Sequence, residues 1–130
     1  MKRAKYFTVD EANGLLPLIR PLVEQLLEKR AKASRLSQQM PQLMEDVQSD
    51  VGGRRASQLY LMFGEIERLT QNIEQHGCVV KNLHAGIVDF LADHNGRDVF
   101  LCWKYGESTV AHFHDLHTGF NGRQPIPTNK

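Results

Sequence analysis

Of the six histidines in the chain, three crowd into His112-Phe113-His114-Asp115-Leu116-His117. On a β-strand, side chains at i and i+2 stand on one face, so His112 and His114 could share a single cation. Asp89, Cys102 and Glu107 would complete a mixed N/O/S donor set of the kind that Zn²⁺ or Fe²⁺ accepts. Whether these residues meet depends on one turn. If the connection after Lys104 has three residues, His112 and His114 face the same way as Asp89 and Cys102, and Phe113 enters the core. With two residues the faces swap and the cluster dissolves. The three-residue connection is preferred, because a phenyl ring belongs in a core more than an imidazole does. The candidate metal ligands are therefore Asp89, Glu107, His112 and His114. The plainer reading carries more weight, since spacing alone seldom proves ligation. In it both histidines are partly exposed strand residues, and Asp89 accepts from Arg97 or Arg123.

Arg97 and Arg123 are the candidates to hold an anion or a carboxylate through a bidentate fork. Arg123 sits among glycines, where another backbone can approach closely. A structural pairing with Asp89, Asp98 or Glu107 is weighed above an anion site. Cys102 has Leu101 and Trp103 beside it and no cationic neighbour in sequence to lower its pKa, which argues against a nucleophile. The chain has no Gly-rich phosphate loop, no serine nucleophile elbow and no HExxH. The basic run Lys29, Arg30, Lys32, Arg35 is interleaved with acids and lacks aromatics, so it reads as a solvated helix face and nucleic acid is not the expected partner.

The elements that must position these groups change period partway along the chain. Thr8-Val9-Asp10-Glu11 reads as a capping box. Gly14 and Pro17 are expected to cut the helix it opens short, with a second helix starting at Pro17. Leu15, Leu16, Ile19, Leu22, Val23, Leu26 and Leu27 then recur at helical steps, and Leu36, Met40, Leu43 and Met44 continue them weakly, with Pro41 expected to kink the helix or start a new one. Gly52-Gly53 is expected to break the chain before a long helix from about Arg54 to His76, with Leu59, Met62, Ile66, Leu69 and Ile73 as its seam and Gly77 as its C-cap. These elements form a long antiparallel hairpin over about residues 9–77. Asn95-Gly96 between Ile87–Ala92 and Val99–Trp103 is a two-residue hairpin turn. It fixes a register that pairs Ala92 with Val99, Phe90 with Leu101 and Val88 with Trp103 on the core face. A third strand, Thr109 to Leu116, completes an antiparallel meander over about 78–117. The tail, 118–130, is expected to be irregular, being rich in Gly and Pro. The fold class is α+β, in one domain.

Composition excludes several classes. A hydrophobic fraction of 41% and a charged fraction of 24% are those of a globular chain. The formal net charge of +1 gives no field to gather nucleic acid or an acidic partner. No apolar run approaches the roughly 20 residues of a membrane span, so a cytoplasmic location without membrane association is expected. Cys78 and Cys102 have no CxxC spacing and read as free, buried thiols.

Several segments together follow one known pattern. They are Tyr6-Phe7-Thr8 with Glu11-Ala12-Asn13 and Leu15-Leu16-Pro17, then Val88-Asp89-Phe90, Gly96-Arg97-Asp98-Val99, Leu101-Cys102-Trp103-Lys104-Tyr105-Gly106-Glu107, His114, and Gly119-Phe120-Asn121-Gly122-Arg123-Gln124-Pro125-Ile126. The chain resembles, over nearly its whole length, the small bacterial family catalogued as domain of unknown function 2203. Phe113 stands where that family tends to have Trp, and Leu91 where it tends to have Pro. The resemblance implies a fold and a cytoplasmic bacterial setting, and no reaction. The leading expectation is a non-enzymatic interaction or regulatory protein that self-associates through its helical hairpin as a homo-oligomer, with no cofactor. The overlong helical seam and a half-apolar outer sheet face motivate it. The rival is a small metal-binding module or metal-dependent enzyme holding a divalent ion such as Zn²⁺ or Fe²⁺ on the strand-three histidines.

Overall fold

The computed structural model describes residues 5–44 and 51–127. Helix α1 spans Val9–Met44 and helix α2 Val51–Glu74, followed by strands β1 (Val79–Asn82), β2 (Ile87–His94), β3 (Arg97–Lys104), β4 (His112–Asp115) and β5 (Gln124–Pro125). The strands form one antiparallel sheet in the order β1-β2-β3-β4-β5. The class is α+β, with five strands where three were expected.

The capping box opens α1 as read: Thr8 Oγ1 accepts from the Glu11 amide at 3.1 Å, and the Thr8 amide donates back to Glu11 Oε1 at 2.9 Å. Gly14 and Pro17 do not cut the helix, and Pro17, Pro21 and Pro41 all lie within α1. Each interior proline costs about 3 kcal/mol. Against that, Ala12, Leu16, Ile19, Val23 and Leu26 form an unbroken stripe at 0–3% exposure running past Pro17 and Pro21. Four large side chains at roughly 1.5–3 kcal/mol each outweigh the two missing hydrogen bonds. Gly52-Gly53 fall in the first turn of α2, where amides have no intrahelical partner to lose. Gly77, at φ 99°, ends α2 by donating to the Glu74 carbonyl. Leu36 is buried at 7% exposure, so it does not lack partners within one chain. The side chains of Met40, Leu43 and Met44 lie outside those described.

The β2–β3 register is the one that Asn95-Gly96 dictates, with Ala92↔Val99, Phe90↔Leu101 and Val88↔Trp103 as partners. Both turn residues have positive φ, 55° and 82°, the signature of the primed turn that matches strand twist. Val88, Phe90, Val99 and Trp103, none above 1% exposed, meet the α1 stripe and Ile66, Leu69 and Ile73 of α2 in one core. Strand β4 begins at His112, later than Thr109, because the chain from Tyr105 to Ala111 is a longer connection. Its parity matches that of the three-residue connection: Phe113 pairs with Leu101 on the core face, and His112 with Cys102 and His114 with Phe100 on the other.

Among its described residues, the tail has regular structure. Phe120–Gly122 form a 3₁₀ turn, Gln124–Pro125 pair with β4, and the Ile126 amide donates to the Ala111 carbonyl at 2.9 Å. Gly122 is required by space, since a Cβ there would stand 2.5 Å from Thr118 Cβ.

Candidate metal centre

Asp89 on β2 and Cys102 on β3 are direct cross-strand partners, and His114 on β4 reaches across β3 beside the Phe100 ring. The three are 1%, 0% and 3% exposed on the sheet face away from the helices. Their potential ligand atoms all lie within 4.8 Å of one another.

His114 Nε2 is 2.9 Å from Asp89 Oδ2, and Nδ1 is 2.7 Å from the Asp115 carbonyl oxygen. A carbonyl can only accept, so Nδ1 carries a proton. A second proton must then lie between Nε2 and Oδ2, where two bare lone pairs would repel. Asp89 Oδ1 is buried and has no hydrogen-bond partner among the described residues. Burial pushes the Asp89 carboxyl above its ordinary range, against the pull of His114, Cys102 and Lys81. Burial likewise pushes the Cys102 thiol up to about 12, reinforced by the Asp89 charge and opposed by Arg123. A thiol held so firmly is no nucleophile on its own.

The other predicted ligands lie apart from this trio. Glu107 accepts from the Lys104 amide at 2.7 Å and from Arg123 at 2.9 Å, and His112 Nδ1 stands 3.9 Å from its second oxygen. Burial alone would raise the Glu107 carboxyl, but the hydrogen bonds from Arg123 and Lys104 hold it below its ordinary value. The hydrogen bond to Glu107 in turn holds the Arg123 guanidinium above its ordinary value. Arg97 pairs with Asp115 at 3.2 Å in an exposed position. In the basic run, Lys29 is bridged to Glu65 and Arg30 contacts His84. A cavity of about 790 Å³ is lined by Tyr6, Phe7, Asp93, His94, Phe113 and Ile126 among others, and none of the buried trio borders it.

A family model described as "Uncharacterized conserved protein (DUF2203)" matches residues 5–126. The chain belongs to this family. No curated protein and no solved structure matches the chain. Membership therefore supplies a fold-wide pattern and no activity. Among the described residues, no helix is long and apolar enough to cross a membrane. Sequence reading placed Asp89, Cys102 and His114 on one face. It missed the Asp115 carbonyl that holds His114 Nδ1, for which local sequence carries no signal.

Proposed function

We propose that this DUF2203 chain is a metal-binding protein that holds one transition-metal ion, Zn²⁺ or Fe²⁺, on Asp89, Cys102 and His114. The observation that carries the reading is the unpartnered, buried Oδ1 of Asp89. A buried acceptor without a donor costs about 1–3 kcal/mol, and more when charged. A cation beside His114 and Cys102 would satisfy it. The Nδ1–H bond to the Asp115 carbonyl is the outer contact that ligating histidines usually make. Thiolate and imidazole donors favour Zn²⁺ or Fe²⁺ over Mg²⁺ or Ca²⁺. The 2.9 Å between Nε2 and Oδ2 suits a hydrogen bond. Ligands around one tetrahedral ion stand ~3.3–3.6 Å apart, so loading needs side-chain shifts of a few tenths of an ångström. With one donor atom from each residue, the trio would leave the fourth position of a tetrahedral ion to water or a small ligand. Protein stripped of metal and made without a histidine tag should bind one Zn²⁺ in isothermal titration. Removing His114 or Cys102 should abolish that heat, while His94→Ala leaves it intact. Heat independent of both ligands, or none, would falsify the reading.

Self-association is the second reading. The observation favouring it is the exposure of three large apolar side chains on one turn of α2, Tyr60 78%, Leu61 63% and Phe63 49%.

A further inference from the structure

The cavity of about 790 Å³ takes no part in the metal site, since none of the trio lines it. It exists because the sheet runs on past the start of α1. Val9, the first residue of that helix, is the only helical residue in the lining. Beyond it Ala92, Val99, Leu101 and Phe113 of β2, β3 and β4 form an apolar floor, to which Ile126 of the tail adds. The His94 ring, also in the lining, lies 5.1 Å from that of Phe113 at a tilt of 34°, so one wall is aromatic. The volume falls within the roughly 300–1,000 Å³ of small-molecule sites, which join such a floor to a few polar groups.

Those polar groups carry one sign of charge. Asp93 lines the cavity, and Asp98 is its direct cross-strand partner. The hydroxyl of Tyr6, another lining residue, donates to Asp98 Oδ2 at 3.1 Å and ties the second carboxylate to the same rim. Like charges directly opposite on a ladder repel. Neither carboxylate has an ion-pair partner among the described residues. The cations adjacent in sequence are engaged elsewhere. Arg97 pairs with Asp115 at 3.2 Å, and the Lys5 ammonium lies 5.0 Å over the Phe7 ring.

We propose that this cavity binds a small molecule with a planar apolar body and a protonated primary amine, the body on the Leu101–Phe113 floor and the ammonium at Asp93 and Asp98. An ammonium offers three donors, and ionised carboxylates only accept, so the two are complementary. Bonds of this charge-assisted kind are roughly twice as strong as neutral ones. A planar ring gains an offset or edge-on contact with Phe113 and His94. A ligand bearing a carboxylate or phosphate would instead be repelled by both aspartates. The site stands whether or not the trio on the other face of the sheet holds a metal.

The test is NMR titration of the isotope-labelled full chain near neutral pH with phenylpropylamine, phenylpropanol and phenylpropionate. These probes share one body and differ in charge. The amine should shift the amides of Val99, Leu101 and Phe113 saturably. The alcohol should bind roughly 10-fold more weakly, the loss expected for one charge-assisted bond, and the carboxylate more weakly still. Both aspartates are exposed, so neither variant threatens the fold. Asp93→Asn should bring the amine down to the affinity of the alcohol and leave the alcohol unchanged, and Asp98→Asn should do so in part. Glu67→Gln, at an exposed carboxylate of α2, should alter neither. Equal binding of amine and alcohol by the wild type would overturn the proposal, as would an amine preference that survives loss of both aspartates. Amide shifts confined to other surfaces, or no binding by any probe, would be equally fatal.

Discussion

Asp89 occupies a position where a neutral side chain would be cheaper, because its carboxylate is 1% exposed and one oxygen is unpartnered. Asp89→Asn should therefore separate binding from folding. The amide can donate to Nε2 in place of the shared proton, so stability in chemical denaturation should change by only about 1 kcal/mol. Zn²⁺ binding should be lost in titration of the same variant. Asp89→Ala should cost more, on the order of 3 kcal/mol, because it leaves an imidazole buried without its partner. The proton inventory gives a second expectation. One proton lies between Nε2 and Oδ2 and another on the Cys102 thiol, and neither survives ligation. Loading near neutral pH should thus release about two protons per ion, read from binding heats in buffers of different ionisation enthalpy. Release of none would mean that the thiol stays protonated outside the metal's shell. At this scale, strand parity made the shared face of Asp89, Cys102 and His114 legible in advance. It could not show that Glu107 would pair with Arg123, because that depends on where a distant tail returns.

Elements with strong local rules were the legible ones, and elements made by tertiary contact were not. Asn95-Gly96 fixes its own backbone angles, so the β2–β3 register followed from a dipeptide and two apolar runs. The capping box was equally local. By contrast, β1 has the exposure pattern of an edge and β5 has two residues, one of them a proline, so neither carries a periodic signal. The prolines in α1 misled for a related reason. Propensity is settled residue by residue, whereas the helix is held by a stripe buried along much of its length. The turn before β2 shows the same dependence on packing. Gly86 has φ 70°, and a Cβ there would meet Tyr105 at 2.9 Å and both Val23 and Leu27 of α1 at 3.1 Å. Gly86→Ala should destabilise by more than ~1 kcal/mol in thermal unfolding, exceeding a simple turn substitution. The tail should respond to acid. Glu107 titrates below its ordinary value when folded, so its contribution is present above the usual carboxylate pKa of ~4.3 and is lost as pH falls through the folded value. Amide protection at Ile126, whose N–H bonds Ala111, should fall as acid protonates Glu107, below the ordinary carboxylate range, while that of Leu101 in β3 persists. Equal loss at both sites would mean that the tail and sheet open as one unit.

At the scale of the molecule, the helices outrun the sheet they cover. At about 1.5 Å per residue α1 is ~54 Å long, against the ~35 Å span of a compact domain of this size. The sheet face buries Leu16 to Leu26 of α1, and beyond it the two helices have mainly each other. Leu36 is buried there, so at that position the overlong seam is satisfied within one chain. The argument moves to α2, where Tyr60, Leu61 and Phe63 are exposed within one turn. Large apolar side chains clustered on one helix face mark a contact surface more often than solvent exposure for its own sake. A second copy is the expected occupant, since symmetric self-association is the commonest assembly of soluble chains. Sedimentation at tens of micromolar, the range in which weak interfaces fill, should then give a mass of at least twice the 14.8 kDa chain. Tyr60→Lys together with Leu61→Glu should return the mass to one chain with unchanged helix content, because neither side chain belongs to the core. Metal affinity in that variant should match wild type, as α2 and the outer sheet face lie on opposite sides of the core. A wild-type mass of one chain would end the self-association reading and leave the metal reading standing.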